Sequence, residues 1–218
     1  MKGIILKDFY ESFCIRKNLI GLLFSILCIG LVVIGMDNLY ALTLMIVVTL
    51  PMTGSSTLQY SMEQDEISQY NKILLTYPLT KREIVKAKLT ATYILSAIVN
   101  LFVSLPITLI YVYGYHTVDI KTGMMIWFLG IIVSLIMNAM NSIGFFWLGN
   151  KKGTILYIII LIAFVIFYIY SYFFVFDYQS LLNFGITNLL FVGFVIGILC
   201  NYLSYRACVH IYTKKSYK

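Results

Sequence analysis

The sequence predicts an all-α, polytopic integral membrane protein with six transmembrane helices and both the N and C termini of this chain in the cytoplasm. Three observations carry that expectation. Hydrophobic residues make up 61% of the 218 and charged residues only 11%, whereas soluble domains run near roughly 45–50% and 25%. Six apolar runs are each long enough to cross a hydrocarbon core of about 30 Å, which takes roughly 20 helical residues. Basic residues are crowded onto alternate connections between those runs.

The six runs are Leu19–Met36, Leu39–Leu58, Leu89–Tyr113, Thr122–Leu148, Thr154–Phe176 and Phe184–Leu203, and none contains Asp, Glu, Lys or Arg. A charge at the bilayer centre costs roughly 2.5–3.5 kcal/mol on insertion scales, so this is the pattern that insertion demands. Orientation follows from the cations. The N-terminal segment carries Lys2, Lys7, Arg16 and Lys17. The connection after the second run carries Lys72, Lys81, Arg82, Lys86 and Lys88. Lys151 and Lys152 follow the fourth run, and Arg206, Lys214, Lys215 and Lys218 close the chain. These fifteen face Lys121 alone on the other side, and the positive-inside rule puts the crowded side in the cytoplasm, here expected of a bacterial plasma membrane. The outer connections, Asp37-Asn38, Gly114–Lys121 and Asp177–Asn183, are too short for a folded outer domain, so residues 1–218 read as one transmembrane domain.

The N-terminal segment does not read as a cleavable signal peptide, since its basic stretch leads into an apolar run with no small-residue cleavage site. Residues 1–18 are too polar to span. With Ile5, Phe9, Phe13 and Ile15 set among Lys7, Asp8, Glu11, Arg16 and Lys17, they are expected to form an interfacial helix on the cytoplasmic surface. The net charge of +7 is accounted for by cations beside spans, which excludes a nucleic-acid partner. Cys14, Cys28, Cys200 and Cys208 have no metal-ligand spacing and behave as reduced apolar side chains.

Residues 60–88 form the one long connection. Ser61 followed by Gln64 reads as a capping box, with Glu63, Asp65 and Glu66 in the first turn against the positive helix end. Ile67, Tyr70, Leu74 and Tyr77 then recur at helical spacing as one apolar stripe, with Asp65, Gln69 and Lys72 on the opposite face. Pro78 ends that helix near Thr76, and Thr80 with Glu83 makes a second capping box that opens a helix into the third run. A helix, a proline turn and a second helix would make a cytoplasmic knob, lying along lipid headgroups or docking in a groove on a soluble partner.

The segment from Met62-Glu-Gln-Asp-Glu66 through Tyr70 and Leu-Leu-Thr-Tyr-Pro78 to Lys-Arg82-Glu83 and Lys88 resembles the first cytoplasmic loop of small type-two ABC exporter permeases. Among these it looks most like the permeases that export phenol-soluble modulins and other antimicrobial peptides. The resemblance implies that Glu66 holds the family's acidic position, Pro78 the turn, Arg82 and Glu83 the cap, and Lys88 the lysine entering the third span. Tyr70 takes the aromatic position where many members carry tryptophan, because Ser68 and Gln69 stand there. On this reading Glu66, Ile67, Tyr70, Leu74, Pro78, Arg82 and Glu83 couple the chain to an ABC ATPase present in two copies. A second permease subunit, identical or different, completes the transporter, and membrane lipid surrounds it. ATP closure would then reorient spans one, two and five about a central cavity and move an amphipathic or hydrophobic substrate, such as a toxin or antimicrobial peptide, out of the cell.

No G-x-x-x-x-G-K-[ST] phosphate loop occurs, so ATP and Mg belong to the partner; no cofactor, metal or catalytic residue is expected on this chain. H-E-x-x-H and G-x-S-x-G are missing too, and His116 and His210 fall on opposite sides of the bilayer. An ion-coupled transporter normally carries an ionisable group inside the membrane, and these runs carry none. Within the spans, Asn100 and Ser104, and Asn138 and Asn141, fall on polar stripes that either hydrogen-bond between helices or line a cavity. Gly21 with Ser25, and Gly193 with Gly197, are small pairs suited to close packing inside one subunit or across a dimer. Pro51 and Pro106 are candidate kinks. The alternative to a permease is a non-transporting membrane protein, such as a bacteriocin-immunity or assembly factor.

Overall fold

A computed structural model of the chain describes residues 2–74, 76–173 and 185–214, and all regular structure among them is helical. The outer connection at 177–183, the facing ends of the fifth and sixth runs, and Lys215 and Lys218 lie outside the described residues. The elements are α1 (Lys2–Phe13), α2 (Arg16–Gly35), α3 (Leu39–Leu44), α4 (Leu50–Ile67), α5 (Tyr70–Leu74), α6 (Lys81–Val99), α7 (Leu105–Leu109), α8 (Ile120–Phe173) and α9 (Ile186–Lys214).

Six spans emerge from five long apolar helices because α8 is two helices in one. Its 54 residues would reach about 80 Å at 1.5 Å per residue, far more than a bilayer needs. Gly149 interrupts it at φ 77°, ψ −178°, a conformation essentially reserved for glycine. The chain then folds back on itself. A Cβ built on Gly144 would meet Leu156 at 2.7 Å, and one on Gly153 would meet Phe145 at 2.7 Å. Residues 120–148 and 150–173 are therefore antiparallel neighbours, with Lys151 and Lys152 at the cytoplasmic turn.

The second and third spans each contain π-helical turns, at Met45–Thr49 and at Asn100–Ser104 and Ile110–Gly114. The first two end just before Leu50-Pro51 and Leu105-Pro106. Proline has no N–H and crowds the preceding turn, and the wider turn is how these helices absorb it. Between the two spans packs a cluster containing Leu42, Ile46, Leu50, Ile107 and Tyr111. Gly54 lets Ser96 approach closely, with the Ser96 Cα 3.2 Å from where a Cβ would stand.

Four expectations for the cytoplasmic side are corrected. There is no helix start at Ser61, since α4 runs unbroken from Leu50 to Ile67 and Ser61 is buried in mid-helix. The helix expected to run on from Ser61 to near Thr76 breaks after Ile67 and resumes only as the short α5, because Gln69 takes a left-handed φ of 51°. Asp65, expected on the solvent face, is fully buried, and so is Leu74, which packs with Ile84, Val85 and Tyr212. The N-terminal segment does form a helix, but it is docked: Ile4, Asp8, Glu11 and Ser12 are buried while Leu6 and Tyr10 are exposed. By contrast, the second capping box forms in full, with Glu83 N bonded to Thr80 Oγ1 and Thr80 N to Glu83 Oε2.

Candidate functional site: a braced cytoplasmic knob and an uncharged groove

α1, the end of α4 and the start of α6 converge beneath the knob on five charged side chains. Lys88 Nζ donates to Ser61 Oγ at 3.0 Å and to Asp65 Oδ2, and lies 3.8 Å from Asp8 Oδ1. Ser61 Oγ in turn donates to Asp8 Oδ1 at 2.8 Å. Lys7 Nζ donates to Asp65 Oδ1 and to Glu11 Oε2 at 2.9 Å, and sits 4.1 Å from the centre of the Tyr70 ring. Lys88 is 1% exposed and Asp65 0%. A buried charge persists only when it is paired and hydrogen-bonded, and here each charge meets an opposite one on another helix or one turn away. Three carboxylates face two ammonium groups, so desolvation dominates at the least compensated acid and pushes the Glu11 carboxyl above its ordinary pKa.

The sequence held few clues to this cluster. Lys88 was legible only as a lysine entering a span, Asp65 as a first-turn acid and Asp8 as part of a surface helix. Their partners lie 23 and 53 residues away along the chain, beyond any periodicity. The usable hint was a lysine immediately ahead of an apolar run with no carboxylate three or four residues away to pair with it along its own helix.

The cluster fixes what the knob presents. Glu66, Ile67, Ile73, Tyr77, Pro78 and Arg82 are exposed, with Ile67 at 68%. Tyr70 is half-buried under Lys7, Leu74 faces inward, and Glu83 is engaged in its cap. Leu74 therefore offers no docking surface. Glu66 Oε1 also accepts from Asn150 N at 2.9 Å, which ties the end of α4 to the turn at Gly149.

In the membrane, a groove of about 380 Å³ opens between α2, the second span and the 150–173 half of α8. Ser25, Thr49, Thr53, Ser56, Gln59 and Tyr157 give it polar points, and among the described residues no charged side chain lines it. The hydroxyls of Thr49, Thr53 and Tyr157 bond to backbone carbonyls. The polar residues of the third and fourth spans lie elsewhere. Asn100 and Asn138 line a smaller cavity of about 220 Å³ with Ser96, Ser134 and Trp127, while Ser104 and Asn141 lie in neither. Asn100 and Ser96 bond across to Ser134, and Asn141 to Ser55. The small pairs separate as well. Gly193 and Gly197 pack on Ile132 and Leu135 within this chain. Gly21 lies near Tyr60, and Ser25 faces the groove.

Six apolar spans, a groove between the first, second and fifth of them, and a braced cytoplasmic knob define a multi-pass α-helical membrane protein of the cell membrane. The family model described as ABC-2 family transporter protein matches residues 3–213, and the chain belongs to that family. It is the membrane-spanning permease component of an ABC transporter, a generally non-enzymatic component whose family implies an ABC ATPase partner. No curated protein and no solved structure matches the chain.

Proposed function

We propose that this permease serves an ATP-driven exporter that moves amphipathic or hydrophobic molecules, with peptides such as toxins or antimicrobial peptides as the favoured class. Two permeases and two ATPase chains make the working unit. The groove between the first, second and fifth spans supports this reading: it offers hydroxyls, an amide and apolar walls but no charge to fix an ion, which suits a substrate that is partly apolar itself. ATP closure acts through Glu66, Ile67, Ile73 and Tyr77. Because the buried cluster holds this surface to the inner ends of the second and third spans, a push on it moves those spans rather than bending a loop.

The observation that carries the coupling assignment is the exposed apolar trio Ile67, Ile73 and Tyr77 beside the inner end of span two. Apolar anchors at an interface commonly cost about 2 kcal/mol or more when truncated, roughly a thirtyfold loss of association. The Ile67→Ala/Tyr77→Ala chain should therefore express and insert normally, lose ATPase co-purification and lose transport. Lys121→Ala, on the outer face, should do neither. Full ATPase binding by the double variant would remove the coupling assignment.

A further inference from the structure

The cytoplasmic ends of α6 and α9 meet in a groove of about 330 Å³ lined by Arg82, Tyr205, Arg206, Val209, His210 and Thr213. Arg82, Arg206 and His210 are exposed, and none of the three takes part in an ion pair among the described residues. Counter-charge is scarce. Helix α9 contains no Asp or Glu, and the only acid of α6, Glu83, has its Oε2 occupied by the Thr80 amide and hydroxyl. Two unpaired guanidinium groups and an imidazole thus share one cleft, beside the positive N-terminal end of α6. The walls are held together, since Lys81 Nζ donates to Thr213 O at 3.1 Å and satisfies a carbonyl at the end of α9.

We propose that this groove binds the phosphate headgroup of an anionic membrane lipid. Guanidinium groups recognise phosphate oxygens through paired, charge-assisted hydrogen bonds. The depth in the membrane selects a lipid source. One turn before the groove, Tyr202 and Leu203 are 57% and 64% exposed, an apolar surface that belongs among acyl chains, so the cations beyond them stand at headgroup level. Tyr205 and Val209 supply an apolar floor against which the glycerol end of a lipid can rest. Lys86 and Lys214 are exposed close by and strengthen the field that an anionic leaflet meets.

The test is thermal unfolding of the purified full chain in zwitterionic phosphatidylcholine nanodiscs, with phosphatidylglycerol added stepwise. Phosphatidylglycerol should raise the midpoint by several degrees at low salt, and phosphatidylcholine alone should not. The Arg82→Gln/Arg206→Gln chain should lose most of that rise, whereas Lys151→Gln/Lys152→Gln, also cytoplasmic and basic, should keep it. An undiminished rise in the arginine variant would overturn the site. An equal rise from millimolar inorganic phosphate would overturn the lipid assignment. Should the double variant not fold, native mass spectrometry of Arg206→Gln decides instead. At least a tenfold weaker retention of phosphatidylglycerol is expected, and unchanged retention overturns the proposal.

Discussion

Glu11 and Lys88 belong to one cluster but pull stability in opposite directions. The Glu11 carboxyl is held above its ordinary pKa, chiefly by desolvation, with Asp65 and Asp8 adding to it against the bond from Lys7. An acid with a raised folded-state pKa ionises more easily in the unfolded chain. Glu11 therefore costs stability above its unfolded value near 4.5 and costs nothing below it, where both states hold the proton. Glu11→Gln should raise the unfolding midpoint at pH 7.5 and leave it unchanged near pH 4. Lys88→Met should do the reverse. It strips Asp65 and Asp8 of their buried cation, which typically costs about 3–5 kcal/mol. A lower midpoint for Glu11→Gln at pH 7.5 would mean that its bond from Lys7 outweighs its burial.

At the scale of the element, the break in α8 turns one overlong helix into two spans. Gly149 supplies the backbone conformation, and a Cβ there would also approach Glu66 Oε1 to 3.4 Å. Gly149→Ala should cost about 1–3 kcal/mol of backbone strain, read as a lowered unfolding midpoint. Asn150→Ala, which keeps the N–H that Glu66 accepts, should stay near the native value; equal losses from both would place the effect in the side chain of the turn instead of its backbone. The two capping boxes read from the sequence show why local patterns succeed or fail. Thr80 and Glu83 find each other three residues apart, so their box forms as read. Ser61 had the same spacing to Gln64, but its hydroxyl bonds to Asp8 across the bundle, and α4 simply continues.

For the whole molecule, the orientation rests on where the cations lie. In a chain whose four native cysteines are replaced, a cysteine at position 151 should react with an impermeant reagent only from the cytoplasm. A cysteine in place of the exposed Asp119 should react only from outside. External labelling at 151 would invert the assignment. The asymmetry does not mean that every cation touches the membrane surface, because Lys7 and Lys88 are spent on internal pairs.

The sequence by itself determined the class and the family resemblance, and it alone assigns the number of spans and the orientation. Each depends on hydrophobicity, charge or short spacing summed along the chain, and the bilayer reads those quantities directly. Only the tertiary structure decided that Leu74 faces inward and Ile67 outward, that Gly193 and Gly197 pack within the subunit, and that Lys88, Asp65, Asp8, Lys7 and Glu11 meet under the knob. Those outcomes depend on residues brought together from distant helices, where the cost of burying a charge is offset only by a partner that no local pattern announces.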